Sequence, residues 1–266
     1  MQIEHCLSAD FLRRPVRVLV VGSGGNGSAI LLGLPYLHQA MLVWGHPGGL
    51  DVTVMDADAV SETNCVRQPF SRSDVGLNKA TVLVNRLNMF WGLGWKARPS
   101  AFETDSLRGI DDRADLVIGC VDSRAARKTI ELAVTSQVGV SYWLDLGNNA
   151  ASGQYVLGQP LNGINRRRAE RLRTVAELYP EIADPSAGED SLPSCSAAEA
   201  LERQEPFVNH TLAASALAMV ARLFRYGRIS YHGAFFNAES GRMSGLAVDP
   251  ARWKRSRSGR YTRAGR

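Results

Sequence analysis

The chain of 266 residues has no apolar run near the ~18 residues that a bilayer-spanning helix requires. Its first stretch, with Glu4, His5 and Asp10, lacks the basic-then-apolar order of an export signal. These absences lead to the expectation of a cytoplasmic protein with no membrane partner. Cysteine is scarce. The four, Cys6, Cys65, Cys120 and Cys195, stand singly. Without a C-x-x-C pair, spacing supports neither a zinc site nor a disulfide framework, and reduced thiols are expected. There is no internal repeat, and no linker sets off a second domain. A single domain over residues 1–250 is expected.

Acid is missing from one place in particular. Residues 251–266 hold seven basic side chains and none that is acidic. Removing those seven from the 31 Lys and Arg leaves 24 against 26 Asp and Glu, so the net charge of +5 conceals a slightly acidic body with a basic tail. The tail carries little apolar material and is expected to be disordered, either simply solvated or in weak contact with nucleic acid or another polyanion. Hydrophobic residues at 45% and charged residues at 21% leave ample material for a core.

What is present begins with a glycine turn, Gly22-Ser23-Gly24-Gly25-Asn26-Gly27. The apolar run Val16, Val18, Leu19, Val20, Val21 precedes it, and an Ala/Leu-rich segment follows. Strand, tight turn and helix N-terminus in that order form a seat for phosphate: backbone N–H groups face outward, the helix dipole favours an anion, and missing Cβ atoms admit close approach. The spacing G-x-G-x-x-G alone indicates only some nucleotide.

Residues 51–55 read as a second strand, ending at Asp56. A helix is expected over 77–90 and a short strand over 95–102. Residues 115–120 and 141–146 read as strands buried on both faces, with a helix between them carrying Ala126, Ile130, Ala133 and Val134 inward. A sixth strand is expected at 154–158. Further on, the composition suggests a surface helix over 165–179, a polar loop over 180–193, helices over 196–204 and 207–225, and closing strands over 229–236 and 242–248. Strands alternating with helices define an α/β, Rossmann-like, doubly wound and mostly parallel sheet, here with an antiparallel C-terminal extension. Asp56 and Asp122 both fall at strand carboxyl ends, where such folds bind ligands.

From Asp56 the chain reads Asp56-Ala57-Asp58-Ala59-Val60, then Asn64-Cys65-Val66-Arg67-Gln68, then Gly76-Leu77-Asn78-Lys79. With the glycine turn and Asp122, these elements resemble, in order, the pattern of the ThiF, MoeB and HesA family of adenylyltransferases, to which ubiquitin-activating enzymes are related. The stretch Pro193-Ser194-Cys195-Ser196, followed by Glu199, Gln204, Phe207 and Asn209, is similar to ThiF-type proteins of PRTRC gene clusters.

The resemblance implies adenylation, in which a carboxylate of a small ubiquitin-like (β-grasp) carrier protein joins the α-phosphate of ATP and pyrophosphate leaves. Arg67 and Lys79 would contact the phosphates, a task that suits a guanidinium fork and an ammonium point charge; the alternative for each is a surface ion pair. Asp56 would accept the ribose hydroxyls, or else serve only as a turn residue. Asp122 would hold Mg²⁺, or cap the next helix, or both. Gly22, Gly24, Gly25, Asn26 and Gly27 would floor the nucleotide site, with Asp58, Asn64 and Gln68 shaping its loop. Gly25 is expected to leave open the space where α-phosphate and carboxylate meet, so that a valine there would block the reaction and spare the fold.

Cys195 has two readings: acceptor of the activated acyl group as a thioester or in sulfur transfer, or incidental structural residue. Cys120 is expected in the core. A homodimer is implied by the family, in which an arginine can reach the partner's site; Arg13 or Arg14 could serve here, the alternative being a simple charged entry to the first strand. Two other readings stand against adenylation. A dinucleotide-dependent oxidoreductase leaves Arg67, Gln68 and Lys79 without a role. A catalytically silent scaffold would keep the fold and bind a partner protein.

Overall fold

A computed structural model describes residues 3–108, 113–137, 139–168, 170–187, 205–251 and 253. Among the described residues ten strands run in chain order as β1 His5–Cys6, β2 Val16–Val21, β3 Leu50–Met55, β4 Lys96–Arg98, β5 Leu116–Gly119, β6 Tyr142–Asn148, β7 Ser152–Gly158, β8 Arg228–Ile229, β9 Tyr231–Asn237 and β10 Arg242–Ala247. The α-helices among the described residues are α1 Gly25–Val43, α2 Lys79–Trp91, α3 Arg124–Ser136, α4 Val175–Leu178 and α5 Val208–Tyr226.

Eight strands form one sheet in the order β10-β9-β7-β6-β5-β2-β3-β4. From β6 to β4 neighbours are parallel, and from β6 to β10 they are antiparallel. The pair β1 and β8 makes a small second sheet. The chain steps from β2 outward to β3 and β4, then returns across β2 to β5 and β6. The crevice between β2 and β5 is therefore the topological switch point of the sheet.

Strand side chains alternate between two packed faces. Val16, Val18 and Val20 of β2 point into a core shared with α1, α2 and α5, while Leu19 and Val21 point into a second core with Ile130, Ala133 and Val134 of α3. The helices have local stop and start signals. Asn78 caps α2 by accepting the Thr81 amide at 3.0 Å, and Gly92 ends it in the left-handed region at φ +65°.

The structure corrects several expectations. Residues 165–179 do not form a surface helix; among their described residues only α4 is helical, and Asn165, Leu172 and Val175 are fully or almost fully buried. Polar side chains shape this segment instead. Asn162 donates to the carbonyls of Val134 and Val140 at 3.1 and 2.7 Å, and Asn165 donates to the carbonyl of Ser141 at 3.1 Å. Buried amides that bind carbonyls of another element compete with an internal helical ladder. The strand expected at 95–102 is only β4. The stretch 229–236 divides at Ser230, because Ile229 pairs with His5 while β9 joins the large sheet. Trp253, inside the segment read as a tail, is buried and packs edge-on against His232 with centroids 5.3 Å apart. The helix expected over 196–204, the end of the polar loop, and the tail beyond Trp253 lie outside the described residues.

Candidate functional site

The glycine turn joins β2 to α1 at the switch point, and its glycines have different duties. Gly22 sits at φ +87°, and a Cβ on it would come within 3.0 Å of the Cys120 carbonyl, just past the end of β5. Gly24 has open space on the Cβ side, with nothing within 4 Å. A Cβ on Gly27 would lie 1.9 Å from the Gly22 carbonyl, so helix and turn close only around hydrogen. Tight turn, open approach and close helix packing are the three roles glycine plays in such a seat. No side chain caps α1, and its first turn holds no acid. The first-turn amides lack intrahelical acceptors, and with the dipole they make this end attractive to an anion.

Gly25 differs from expectation. A Cβ there would lie 2.3 Å from Nδ2 of Asn209, in the first turn of α5. The space is occupied by a buried side chain of the neighbouring helix, so Gly25 serves the contact between α1 and α5 rather than an opening.

Around this turn the sequence-identified residues are linked by contacts. One oxygen of Asp56, at the end of β3, accepts both the amide and the hydroxyl of Ser23, at 2.6 and 2.7 Å. Its other oxygen accepts the Asp58 amide at 2.8 Å. Asn78, at the cap of α2, donates to the carbonyls of Asp56 and Asp58. Lys79 then directs Nζ to Asp58 at 2.9 Å; the lysine side chain is 10% exposed and the carboxylate 69%. Asp58 is thereby a charge partner of Lys79 as well as a loop residue. Asn64 accepts the Ser61 amide at 2.9 Å and so organises the loop that presents Arg67 and Gln68.

Arg67 is half-buried. Burial draws its guanidinium below the ordinary arginine range, while the negative charge of Asp122 acts in the opposite direction. That electrostatic link brings the loop to the end of β5. Asp122 is exposed, and the cap of α3 is Ser123, whose hydroxyl accepts the Ala126 amide at 3.1 Å. The capping alternative for Asp122 is thus excluded. Oε1 of Gln68 and Oδ1 of Asn26 are buried without a hydrogen-bond partner. Orphaned acceptors of this kind are costly unless a ligand or water meets them.

Three residues, Asn148, Arg127 and Asp145, escaped sequence reasoning. Asn148, at the end of β6, accepts from Nδ2 of Asn26 at 2.8 Å and fixes the first turn of α1. Arg127 of α3 meets Asp145 of β6 through Nε at 2.9 and 3.1 Å, with both side chains almost fully buried. The same guanidinium donates to the carbonyls of Val121, next to Asp122, and of Ile182. Burial pushes the Asp145 carboxyl up, against the pull of the Arg127 charge. A signal for this pair existed, since Arg127 lies on the inward stripe of α3 and Asp145 interrupts an apolar strand.

The cysteines separate clearly. Burial drives the Cys120 thiol far above its ordinary range, as befits a core residue. Cys65 is half-buried and donates to the Ser61 carbonyl at 3.7 Å. Cys195 lies outside the described residues. Arg14 forms a two-pronged pair with Asp115, 2.7 Å for each prong, at the amino edge of the strands and away from the glycine turn. Arg13 is exposed beside Asp10 at 3.8 Å.

A glycine turn at the switch point of a mostly parallel sheet, with an uncapped helix end beside Asp56, Lys79 and Asp122, defines a Rossmann-like α/β protein. The ThiF family model matches residues 10–248, and the chain belongs to that family. It is 35% identical over 118 residues to the adenylyltransferase and sulfurtransferase UBA4 of Candida albicans, a match covering 43% of this chain and 24% of that one. The chain thus spans about a quarter of the length of that curated relative. Among solved structures, MccB of E. coli with ATP superposes with a TM-score of 0.58 at 17% identity, covering 91% of this chain and 67% of that one. PaaA superposes with a TM-score of 0.56 at 13% identity, covering 88% of this chain and 64% of that one. At these identities the structural likeness establishes the fold.

Proposed function

We propose that the protein is an ATP-dependent adenylyltransferase that activates the C-terminal carboxylate of a small ubiquitin-like carrier protein. The observation carrying this reading is the linkage of Gly24, Asp56, Lys79, Arg67 and Asp122 around one uncapped helix terminus. An oxidoreductase reading gives the two cations no work. UBA4 is itself named an adenylyltransferase, and structures of MccB have been solved with ATP and with MccA.

In the reaction, a carrier carboxylate oxygen bonds to the α-phosphorus of ATP. The bond from that phosphorus to the bridging oxygen breaks, and pyrophosphate departs with the electron pair. Both reactants are anions, so the protein's task is to offset repulsion and follow charge onto the leaving group. Lys79 and Arg67 serve that need, the first released from Asp58 by the stronger charge of the phosphates. Asp56 accepts the ribose hydroxyls while it retains Ser23, since a carboxylate has about four acceptor positions. Asn26 and Gln68 offer their orphaned oxygens to N–H or O–H groups of the ligand.

Among the described residues no three His, Cys, Asp or Glu gather as a metal cage. Asp122 alone suits Mg²⁺ arriving with the nucleotide, because that ion takes one or two carboxylates together with phosphate oxygens and water. Thioester transfer to Cys195, a homodimer and the PRTRC-type assignment extend the same reading. The test is ATP–pyrophosphate exchange with candidate β-grasp proteins, followed by intact mass spectrometry. Carrier-dependent exchange supports adenylation, and an adduct on Cys195 supports the second step. ATP binding with no adenylate from any carrier would favour the silent scaffold instead.

A further inference from the structure

A cavity of about 530 Å³ opens at the amino ends of β2, β5 and β6. β2 runs from the cavity to the glycine turn, about 20 Å from Val16 to Gly22 at ~3.3 Å per residue. Its charged lining is Arg14, Arg17, Arg108, Arg113 and Arg168 against Asp10 and Asp115. We propose that this cleft is a second ligand site, selective for a small molecule bearing a multiply charged phosphate group.

Asp115 does not neutralise the cleft. Its carboxylate is 6% exposed and fully engaged, accepting both prongs of Arg14 together with the amide, Nε and Nη2 of Arg17. One negative charge thus orients two guanidiniums and leaves one positive charge uncompensated. Arg14 and Arg17 remain 49% and 35% exposed, so their outer faces are available. Arg108, Arg113 and Arg168 make no ion pair with a described residue. Arg108 and Arg113 come from the connection between β4 and β5 and Arg168 from beyond β7, and they converge on one recess. The charge of Arg168 reaches inward far enough to oppose protonation of His5, whose ring burial holds at about 4.

Clustered guanidiniums repel one another unless an anion joins them, and Arg is the side chain whose planar fork matches phosphate oxygens. A single carboxylate would satisfy only one or two of them. Phe11, Leu107, Val140 and Ile164 supply an apolar wall beside the charges. The volume lies within the ~300–1,000 Å³ of small-molecule sites, and charge plus apolar wall suits a phosphate group attached to a larger body. The concave shape favours this occupant over a nucleic-acid strand. The inference is independent of the adenylation site, which lies at the other end of the strands.

Inorganic tripolyphosphate, titrated calorimetrically into the full chain, tests the proposal. The proteins compared are wild type, Arg113→Ala/Arg168→Ala and Lys79→Ala. The altered arginines are exposed, so circular dichroism and Tm should stay at wild-type values. The expected result is a binding event that survives Lys79→Ala and weakens about tenfold or more in the double arginine variant, consistent with loss of two charge-assisted contacts. The proposal is overturned if the double variant binds as wild type does, or if no binding survives Lys79→Ala. Loss of a separate event in Lys79→Ala concerns only the adenylation site, so the two readings fail independently.

Discussion

Ser23 gives both its amide and its hydroxyl to the same oxygen of Asp56, at 2.6 and 2.7 Å. The second turn residue after β2 is thereby tied to the end of β3, and a carboxylate at the strands' carboxyl edge presets the geometry of the turn. Asp56→Ala removes the acceptor for these two donors and for the Asp58 amide. We expect a loss of about 2 kcal/mol in stability, the scale of bonds to a partly exposed charged group, together with weaker ATP binding. Asp56→Asn keeps one carbonyl oxygen and should lose less of each. An unchanged Tm in the alanine variant would show that Ser23 is held by other means.

Lys79 should separate catalysis from folding. Its partner Asp58 is 69% exposed, so the pair adds little to stability. Lys79→Ala is expected to retain the Tm within a few degrees and to lose about 10²-fold or more of carrier-dependent pyrophosphate exchange. Equal exchange rates in variant and wild type would remove Lys79 from the reaction.

At Gly25 the limit is packing. A Cβ would lie 2.3 Å from Asn209, so even Gly25→Ala should lower stability by about 1–3 kcal/mol, and Gly25→Val by more. Truncating the neighbour supplies the control: Gly25→Ala/Asn209→Ala should recover part of that loss. Additive losses in the double variant would mean that the two positions do not compete for the same space.

Arg127 and Asp145 are buried to 4% and 1% exposure and form an ion pair. Removing one partner strands a charge, and Arg127→Leu should cost about 3–5 kcal/mol in urea unfolding. Arg127→Met/Asp145→Leu should regain most of it. The double variant still lacks the bond to the Val121 carbonyl, so its exchange activity should stay low while its stability returns. Full recovery of both would assign the pair to folding alone.

Stability should fall in acid through two windows. Burial holds the His232 ring at about 4, against the opposing hydrogen bond to the Leu157 carbonyl, while the unfolded value is 6.5. Between these values the unfolded chain takes up a proton that the folded one does not, so stability drops as pH falls from 6.5 and levels off near 4. At Glu177 burial favours the neutral acid, yet bonds from Arg171, the Thr174 amide and Arg173 outweigh it and bring the group from 4.5 to about 2. Its contribution is present above 4.5 and is lost as pH falls towards 2. Each group accounts for about 3 kcal/mol at ~1.4 kcal/mol per pH unit. His5, also held at about 4, shares the upper window, so urea midpoints across pH 2–7 should show a shallower upper slope in His232→Gln and a shallower lower slope in Glu177→Gln.

The sequence by itself determined the strand, glycine turn and helix around Gly22 to Gly27, and the acids closing β3 and β5. It also determined the family pattern through Lys79. These signals are local: a turn needs residues that tolerate its backbone, and a doubly buried strand needs an unbroken apolar run. Tertiary structure alone decided what fills the space at Gly25, which residue caps α3 in place of Asp122, and how 165–179 folds. It alone paired Asn26 with Asn148 across 122 residues and Arg14 with Asp115 across 101. Such contacts are set by which strands lie side by side and how helices close over them, and no periodicity along the chain records that order. The arginine cleft belongs to the same class, because its charges are scattered in sequence and meet only where the sheet's amino edge gathers them.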